Sequence, residues 1–181
     1  LRCRGEEYFT KVRLHKEMNF NMIRNWLGTT TDEEFYEACD KYGIMVWDDF
    51  WLNSNPILPD DIHAFNYNAV EKIKRLRNHP SIAVWCGNNE GWPEPPLDTY
   101  LCENVRVFDG GERYYQSNSH EGHLSGSGPW GAYDPRYYFT YYPYPYNKVG
   151  TPGWGFRTEI GTAVFVNAES FRKFIPEDKL W

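Results

Sequence analysis

An α/β fold built on a parallel sheet is what this sequence predicts, and three features predict it. Short apolar runs recur without polar alternation, as strands buried on both faces require. Amphipathic helical stretches separate them. Connections are short, so the order helix, strand, helix, strand, helix, strand is the sequence form of right-handed βαβ units.

The first helix, "YFTKVRLHKEM" (8–18), is the weakest, and "NMIRNW" (21–26) follows as a strand. Residues 31–43, "TDEEFYEACDKYG", read as a complete helix. Thr31 and Glu34 have capping-box spacing, Phe35, Ala38, Cys39 and Tyr42 form one stripe, and Gly43 can terminate it. "IMVW" (44–47) is the next strand. A helix within 62–78 places Ala69, Ile73 and Leu76 on one face, with Lys72, Lys74, Arg75 and Arg77 read as solvated. Asn78-His79-Pro80 stops it, with His79 as turn structure, and Ser81 to Cys86 is a third strand. Residues 93–155 hold most of the Pro, Gly and Tyr and read as long loops, although "RYYQSN" (113–118) and "YYFTYY" (137–142) have strand character. "GWGFRTEIGT" (153–162) again reads as strand, and "NAESFRKFI" (167–175) as the following helix. The Tyr/Pro run 141–146 reads as a stiff packed loop.

A chain of 181 residues has room for one domain with a real core. The net charge of −6 argues against nucleic acid or an anionic membrane as partner. No apolar run approaches the roughly 20 residues that span a bilayer. Cys3, Cys39, Cys86 and Cys102 lie far apart without metal-site spacing, and Cys39 and Cys86 fall in apolar patterns, so they read as buried thiols. His120 and His123 have no convincing ligand spacing, and neither a metal nor a cofactor is expected. The compartment stays open.

All strands of a parallel sheet end on one face. Here they end in Arg24-Asn25-Trp26, in Asp48-Asp49-Phe50-Trp51 and in Asn88-Asn89-Glu90, which assembles a polar floor with aromatic walls. That is the face on which α/β barrels carry their active sites. Carboxylates beside tryptophans point to sugar, because indole rings cover pyranose C–H faces while carboxylates and amides bond hydroxyls. Glycoside cleavage usually uses two carboxyl groups. Glu90 is one candidate, and Glu159, at another predicted strand end, is the second. Each has a plainer reading as a solvated carboxylate. Arg24, a lone base in an apolar strand, either serves the site or pairs structurally with Asp48 or Asp49. Asp48 and Asp49 are sugar ligands or ion-pair partners, and Asn89 a ligand or a turn cap. Trp26 and Trp154 are the pocket tryptophans, whereas Trp47 and Trp85 belong to the core.

"RLRNHPSIAVWCGNNE" (75–90) resembles the acid/base motif of glycoside hydrolase family 2, in particular its β-mannosidase and exo-β-D-glucosaminidase branches. "GFRTEIGT" (155–162) is similar to the nucleophile motif of that family, and "KEMNFNMIRNW" (16–26) and "FYEACDKYGIMVWDDF" (35–50) resemble the same catalytic domain in the same order. The resemblance implies a (β/α)8 TIM barrel, present as an incomplete fragment holding about strands two to seven. It implies a retaining mechanism with Glu159 as nucleophile and Glu90 as acid/base. Asn89 would bond the C2 hydroxyl or its substituent, Arg24 would hold the Glu159 carboxylate ionised, and Tyr138 would bond the nucleophile, with Tyr137 and Tyr141 competing for that place. Asp48, Trp26 and Trp154 complete the expected substrate contacts.

A complete barrel of this kind runs to about 250 residues. Residues 1–181 are therefore expected to be part of one catalytic domain, without accessory β-sandwich domains, and its partners are the missing parts of the same polypeptide and a β-linked oligosaccharide or glycoside. The isolated piece is not expected to be active by itself. The resemblance implies a secreted or periplasmic enzyme hydrolysing terminal β-mannoside or β-glucosaminide residues. Rival readings keep the mechanism on β-galactosides or β-glucuronides, or make this a non-catalytic carbohydrate-binding barrel. Retention requires carboxyl groups roughly 5 to 5.5 Å apart.

Overall fold

The structure, a computed structural model, describes residues 3–54, 57–120, 124, 156–159, 161 and 166–179. The chain divides into two units, Leu1–Gly122 and His123–Trp181. The first is α/β. Its elements run α1 (Glu6–Glu17), β1 (Met22–Asn25), α2 (Glu33–Tyr42), β2 (Met45–Asp49), α3 (Ile62–Leu76), β3 (Ile82–Asn88), α4 (Leu97–Phe108) and β4 (Tyr114–Asn118).

The four strands form one sheet in the order β1-β2-β3-β4, and every pairing is parallel. Register aligns the strand ends. Asn25 stands opposite Asp48, Asp49 opposite Cys86, and Asn88 opposite Asn118. The three polar endings read from the sequence therefore meet on one edge, joined by a fourth from β4.

Each helix buries the stripe its sequence carries. In α2, Phe35, Ala38 and Cys39 are buried, and Tyr36 with them. Gly43 ends it at φ 65°, a left-handed conformation that glycine adopts without steric penalty, and Ile44 N–H returns to the Cys39 carbonyl at 3.0 Å. In α3, Ala69, Ile73 and Leu76 are fully buried, and the Asp61 side chain caps the first turn by accepting from Ala64 N–H at 2.9 Å. These faces close over Val46 and Trp85 of the sheet and Phe50 just past β2, with Trp85 stacked on Phe50 at a 5.7 Å ring separation. Trp47 and Trp85 are core, as expected.

Three readings of the sequence are corrected. Residues 97–108, taken as loop, form α4, whose Leu97, Leu101 and Val105 are buried at helical spacing. The prolines at 93, 95 and 96 looked like loop punctuation, but they precede the helix, where a missing N–H breaks no intrahelical bond. Thr31 and Glu34 do not form the capping box. Asp32 is the N-cap of α2 and makes no side-chain cap bond; its carboxylate instead accepts from Tyr8 Oη at 2.8 Å, tying α1 to α2. Lys72 is not solvated but buried.

His79, read as turn structure, is also a tie between elements. Its Nδ1 lies 2.6 Å from Asp40 Oδ2 and its Nε2 3.1 Å from Glu33 Oε2. Cys39 and Cys86 are buried free thiols.

In the second unit, Leu124 and Phe156 make one parallel bridge, and α5 (Ala168–Phe171) is capped by Asn167, whose side chain accepts from Ser170 N–H at 2.9 Å. The strand character assigned to 137–142 and the packed loop at 141–146 lie outside the described residues. No helix among the described residues is long and apolar enough to cross a membrane.

Candidate functional site

The site grows from the carboxyl ends of β1, β2 and β3. An arginine inside a strand needs a counter-charge, and Arg24 finds Asp49 one strand away. Arg24 Nη2 donates to Asp49 Oδ2 at 2.7 Å, and Nε lies 3.2 Å from both carboxylate oxygens. Asp49 is fully buried and accepts two further hydrogen bonds, from Trp47 Nε1 at 2.9 Å and from Leu27 N–H at 3.0 Å. Of the two pairings considered for Arg24, the partner is Asp49. Several charge-assisted bonds fix the guanidinium plane.

That guanidinium in turn fixes Asn89. Asn89 Oδ1 accepts from Arg24 Nη2 at 2.8 Å and from Trp26 Nε1 at 3.0 Å, so the amide can face only one way. Its Nδ2 is thereby turned toward Asn53 Oδ1 at 2.9 Å and Ser54 Oγ at 3.4 Å. Trp26 is 49% exposed, with its indole Nε1 anchored on the amide.

Glu90 follows at a sharp corner. Gly91 N–H bonds the Asn89 carbonyl at 2.7 Å, closing a three-residue turn with Glu90 at φ 61°. A non-glycine residue in that region costs about 1–3 kcal/mol, and such strain clusters at functional sites. Surrounding contacts hold it there. Glu90 N–H donates to Ser119 Oγ at 2.9 Å, and Ser54 Oγ lies 3.2 Å from Glu90 Oε2. A side chain on residue 91 would place its Cβ 2.4 Å from the Ser54 carbonyl oxygen, so the corner requires glycine.

Asp48 corrects an expectation. It is fully buried, and its carboxylate is taken by Lys72 Nζ at 2.9 Å, Asn25 Nδ2 at 2.9 Å and Tyr36 Oη at 2.9 Å. With both oxygens enclosed it is a structural anion beneath the site rather than a sugar ligand; the ion-pair alternative is the one observed. Burial raises its pKa above the ordinary aspartate value of 3.8, and the Lys72 ammonium works in the opposite direction. Burial and the Asp48 charge together push the Tyr36 phenol up, which keeps it a hydrogen-bond donor. Lys72 Nζ also donates to the Asp49 carbonyl at 2.7 Å and lies over the rings of Phe50, Trp51 and Trp85. Gly28, at φ 57°, leaves the room for this: a Cβ there would come within 2.2 Å of the Asp49 oxygen and 2.6 Å of Lys72 Nζ.

A single polar network thus runs from α3 through Asp48 and Asp49 to Arg24, Trp26, Asn89 and the corner holding Glu90. The arrangement offers an oriented amide, the Glu90 carboxylate at its corner, and a half-exposed indole beside them. Glu159 belongs to the second unit, where it is half-buried. Tyr138 and Trp154 lie outside the described residues. Asn53, Ser54 and Ser119 were not singled out from the sequence; they sit just past strand ends in polar loops that carry no periodic signal. Among the described residues no group of three His, Cys, Asp or Glu side chains is gathered for a metal ion.

No protein-family model matches the chain. A mannosylglycoprotein endo-β-mannosidase of Lilium longiflorum is 30% identical over 220 residues, covering 98% of this chain and 22% of the lily protein. A β-mannosidase B of Thermothelomyces thermophilus is 44% identical over 94 residues, covering 50% of this chain and 11% of that one. Among solved structures, the β-D-mannosidase of Dictyoglomus thermophilum aligns with a TM-score of 0.67 at 28% identity, over 97% of this chain and 24% of its own. An exo-chitosanase of Amycolatopsis orientalis aligns with a TM-score of 0.70 over 95% of this chain and 22% of its own, and at 15% identity that likeness concerns the fold. The chain therefore spans about a quarter or less of the length of these relatives.

Proposed function

We propose that the chain is a β-mannosidase-like segment of a glycoside hydrolase family 2 enzyme, and that the protein is a retaining exo-β-glycosidase acting on terminal β-mannoside or β-glucosaminide residues. In this reading the parallel sheet is part of a (β/α)8 barrel, and residues 1–181 supply about strands two to seven of it. The observation that carries it is the Asn89-Glu90 pair at the end of β3, its amide oriented by Arg24 and Trp26, in a chain homologous to β-mannosidases.

Two displacements account for the chemistry. The Glu159 carboxylate attacks the anomeric carbon as the bond to the leaving oxygen breaks, and the Glu90 proton goes to that oxygen. Water then attacks the same carbon, giving its proton back to Glu90, and the ester bond to Glu159 breaks. Two inversions leave the anomeric configuration unchanged. Asn89 bonds the hydroxyl or substituent at C2, Trp26 and Trp154 flank the sugar, and Tyr138 bonds the nucleophile.

A panel of chromogenic β-glycosides offered to the intact protein, with NMR of the product anomer, tests the reading. The expected result is cleavage of the β-mannoside or β-glucosaminide with retention. Glu159→Ala nearly abolishes turnover and azide partly restores it. Glu90→Ala spares the first step for substrates with good leaving groups, because general-acid assistance worth about 10² to 10⁴ in rate matters least there. Equal losses for activated and unactivated substrates contradict the acid assignment. Inverted product contradicts the mechanism. Binding without cleavage of any glycoside favours a carbohydrate-binding barrel.

A further inference from the structure

A chain of hydrogen bonds runs from the strand ends to Glu90, and Ser54 is its last link. Arg24 Nη2 and Trp26 Nε1 both donate to Asn89 Oδ1, so the opposite end of that amide, Nδ2, is a donor. The Asn53 side-chain atom 2.9 Å from Nδ2 is therefore its carbonyl oxygen. Ser54 Oγ lies 3.0 Å from that oxygen and 3.2 Å from Glu90 Oε2, and it accepts from Asn89 Nδ2 at 3.4 Å. One hydroxyl proton thus faces two acceptors, one always neutral and one that carries charge only when Glu90 is ionised. The backbone is strained to present it, because Ser54 sits at φ 49°, in the left-handed region. It is held there by its own N–H on the Asn89 carbonyl at 2.7 Å and by the parallel bridge of Asn53 with Asn89.

Resting on the acid/base role proposed for Glu90, we propose that Ser54 is a positioning residue whose hydroxyl follows the charge on that carboxyl. With Glu90 protonated, the serine proton goes to the neutral Asn53 oxygen. As Glu90 gives its proton to the leaving oxygen, negative charge reaches Oε2 and the hydroxyl turns to it, because an ionised acceptor makes the stronger bond. Return of a proton from water in the second displacement releases the hydroxyl to Asn53. Ser54 keeps its own proton throughout, and only the torsion about its Cβ–Oγ bond changes. A bond that strengthens as charge develops lowers the barrier rather than tightening the ground state. Ser54 is exposed, so water competes for the same oxygens and the effect is that of about one charge-assisted hydrogen bond.

The test uses the intact protein and two substrates that share the attacked sugar. One is an unactivated alkyl β-glycoside and the other a dinitrophenyl β-glycoside, whose leaving group departs with little protonation. The quantity read is the ratio of kcat/KM for the first to that for the second, which a smaller folded fraction does not move. Ser54→Ala and Ser54→Gly are each expected to lower this ratio about tenfold. Glycine adopts φ 49° without strain, so agreement between the two variants assigns the effect to the hydroxyl. A ratio unchanged within about twofold, or lowered in Ser54→Ala and restored in Ser54→Gly, overturns the proposal and leaves the glycosidase reading intact. Wild-type protein that cleaves neither substrate overturns both.

Discussion

Replacing Lys72 with methionine keeps the length of the side chain and removes its charge. The Lys72 and Asp48 side chains are 3% and 0% exposed, and the ammonium serves both Asp48 Oδ1 and the Asp49 carbonyl. Breaking a buried pair from one side leaves an uncompensated charge and costs about 3–5 kcal/mol. At about 1.4 kcal/mol per decade, amide exchange protection across β2 and α3 should fall by roughly two to four decades. Local exchange suits a long polypeptide better than a global melt, because it needs no two-state transition. The effect must also depend on pH. Asp48 has its folded pKa raised above 3.8, so the stability linked to it is fully present below that value and is lost as pH rises through the folded value. Without the ammonium the folded value climbs further, and the window of loss extends upward from 3.8 toward neutrality. Lys72→Met should therefore be least harmful in acid and most harmful near neutral pH, by up to about 1.4 kcal/mol per pH unit inside the window. Adding Asp48→Asn removes the stranded charge and should recover most of the protection. A double variant as labile as Lys72→Met alone, with a defect flat in pH, would refute this account of the network.

Gly91→Ala should displace the Glu90 corner, since its Cβ would meet the Ser54 carbonyl oxygen at 2.4 Å. With Glu90 in its proposed role as acid/base, a shift of about 1 Å is worth on the order of 10²-fold in rate, so kcat on an unactivated β-glycoside should drop by about that factor while exchange protection of β3 holds. Unchanged kcat would show that the corner does not set the position of Glu90. Burial raises both core thiols, Cys39 to about 12, so alkylation of the folded protein at about pH 8 should label the exposed Cys102 and leave Cys39 and Cys86 untouched. Mass spectrometry of the digested product reads this directly, and rapid modification of Cys39 would contradict its packing.

The α/β alternation was legible because each element announces itself locally: the stripe of α2 with Gly43 behind it, the apolar runs of β2 and β3, and the buried face of α3. So was the gathering of polar residues at strand ends, since parallel strands bring their carboxyl ends to one edge whatever their exact length. Glu90 and Asn89 could be named for that reason. α4 was missed because prolines before a helix and prolines within a loop look alike until the buried face behind them is seen.

What the sequence could not decide was which charge answers which. Asp48 and Asp49 are neighbours with the same chemistry, yet alternation along a strand sends their side chains to opposite faces of the sheet. One is sealed beneath the site with Lys72, and the other turns toward Arg24 and through it orients Asn89. Lys72 itself sits among cations that are solvated, and only the crossing of α3 over the sheet brings its ammonium under the strand ends. Local patterning specifies which segments fold into what; long-range packing alone brings Lys72, Asp48, Asp49, Arg24 and Asn89 within hydrogen-bonding distance of one another.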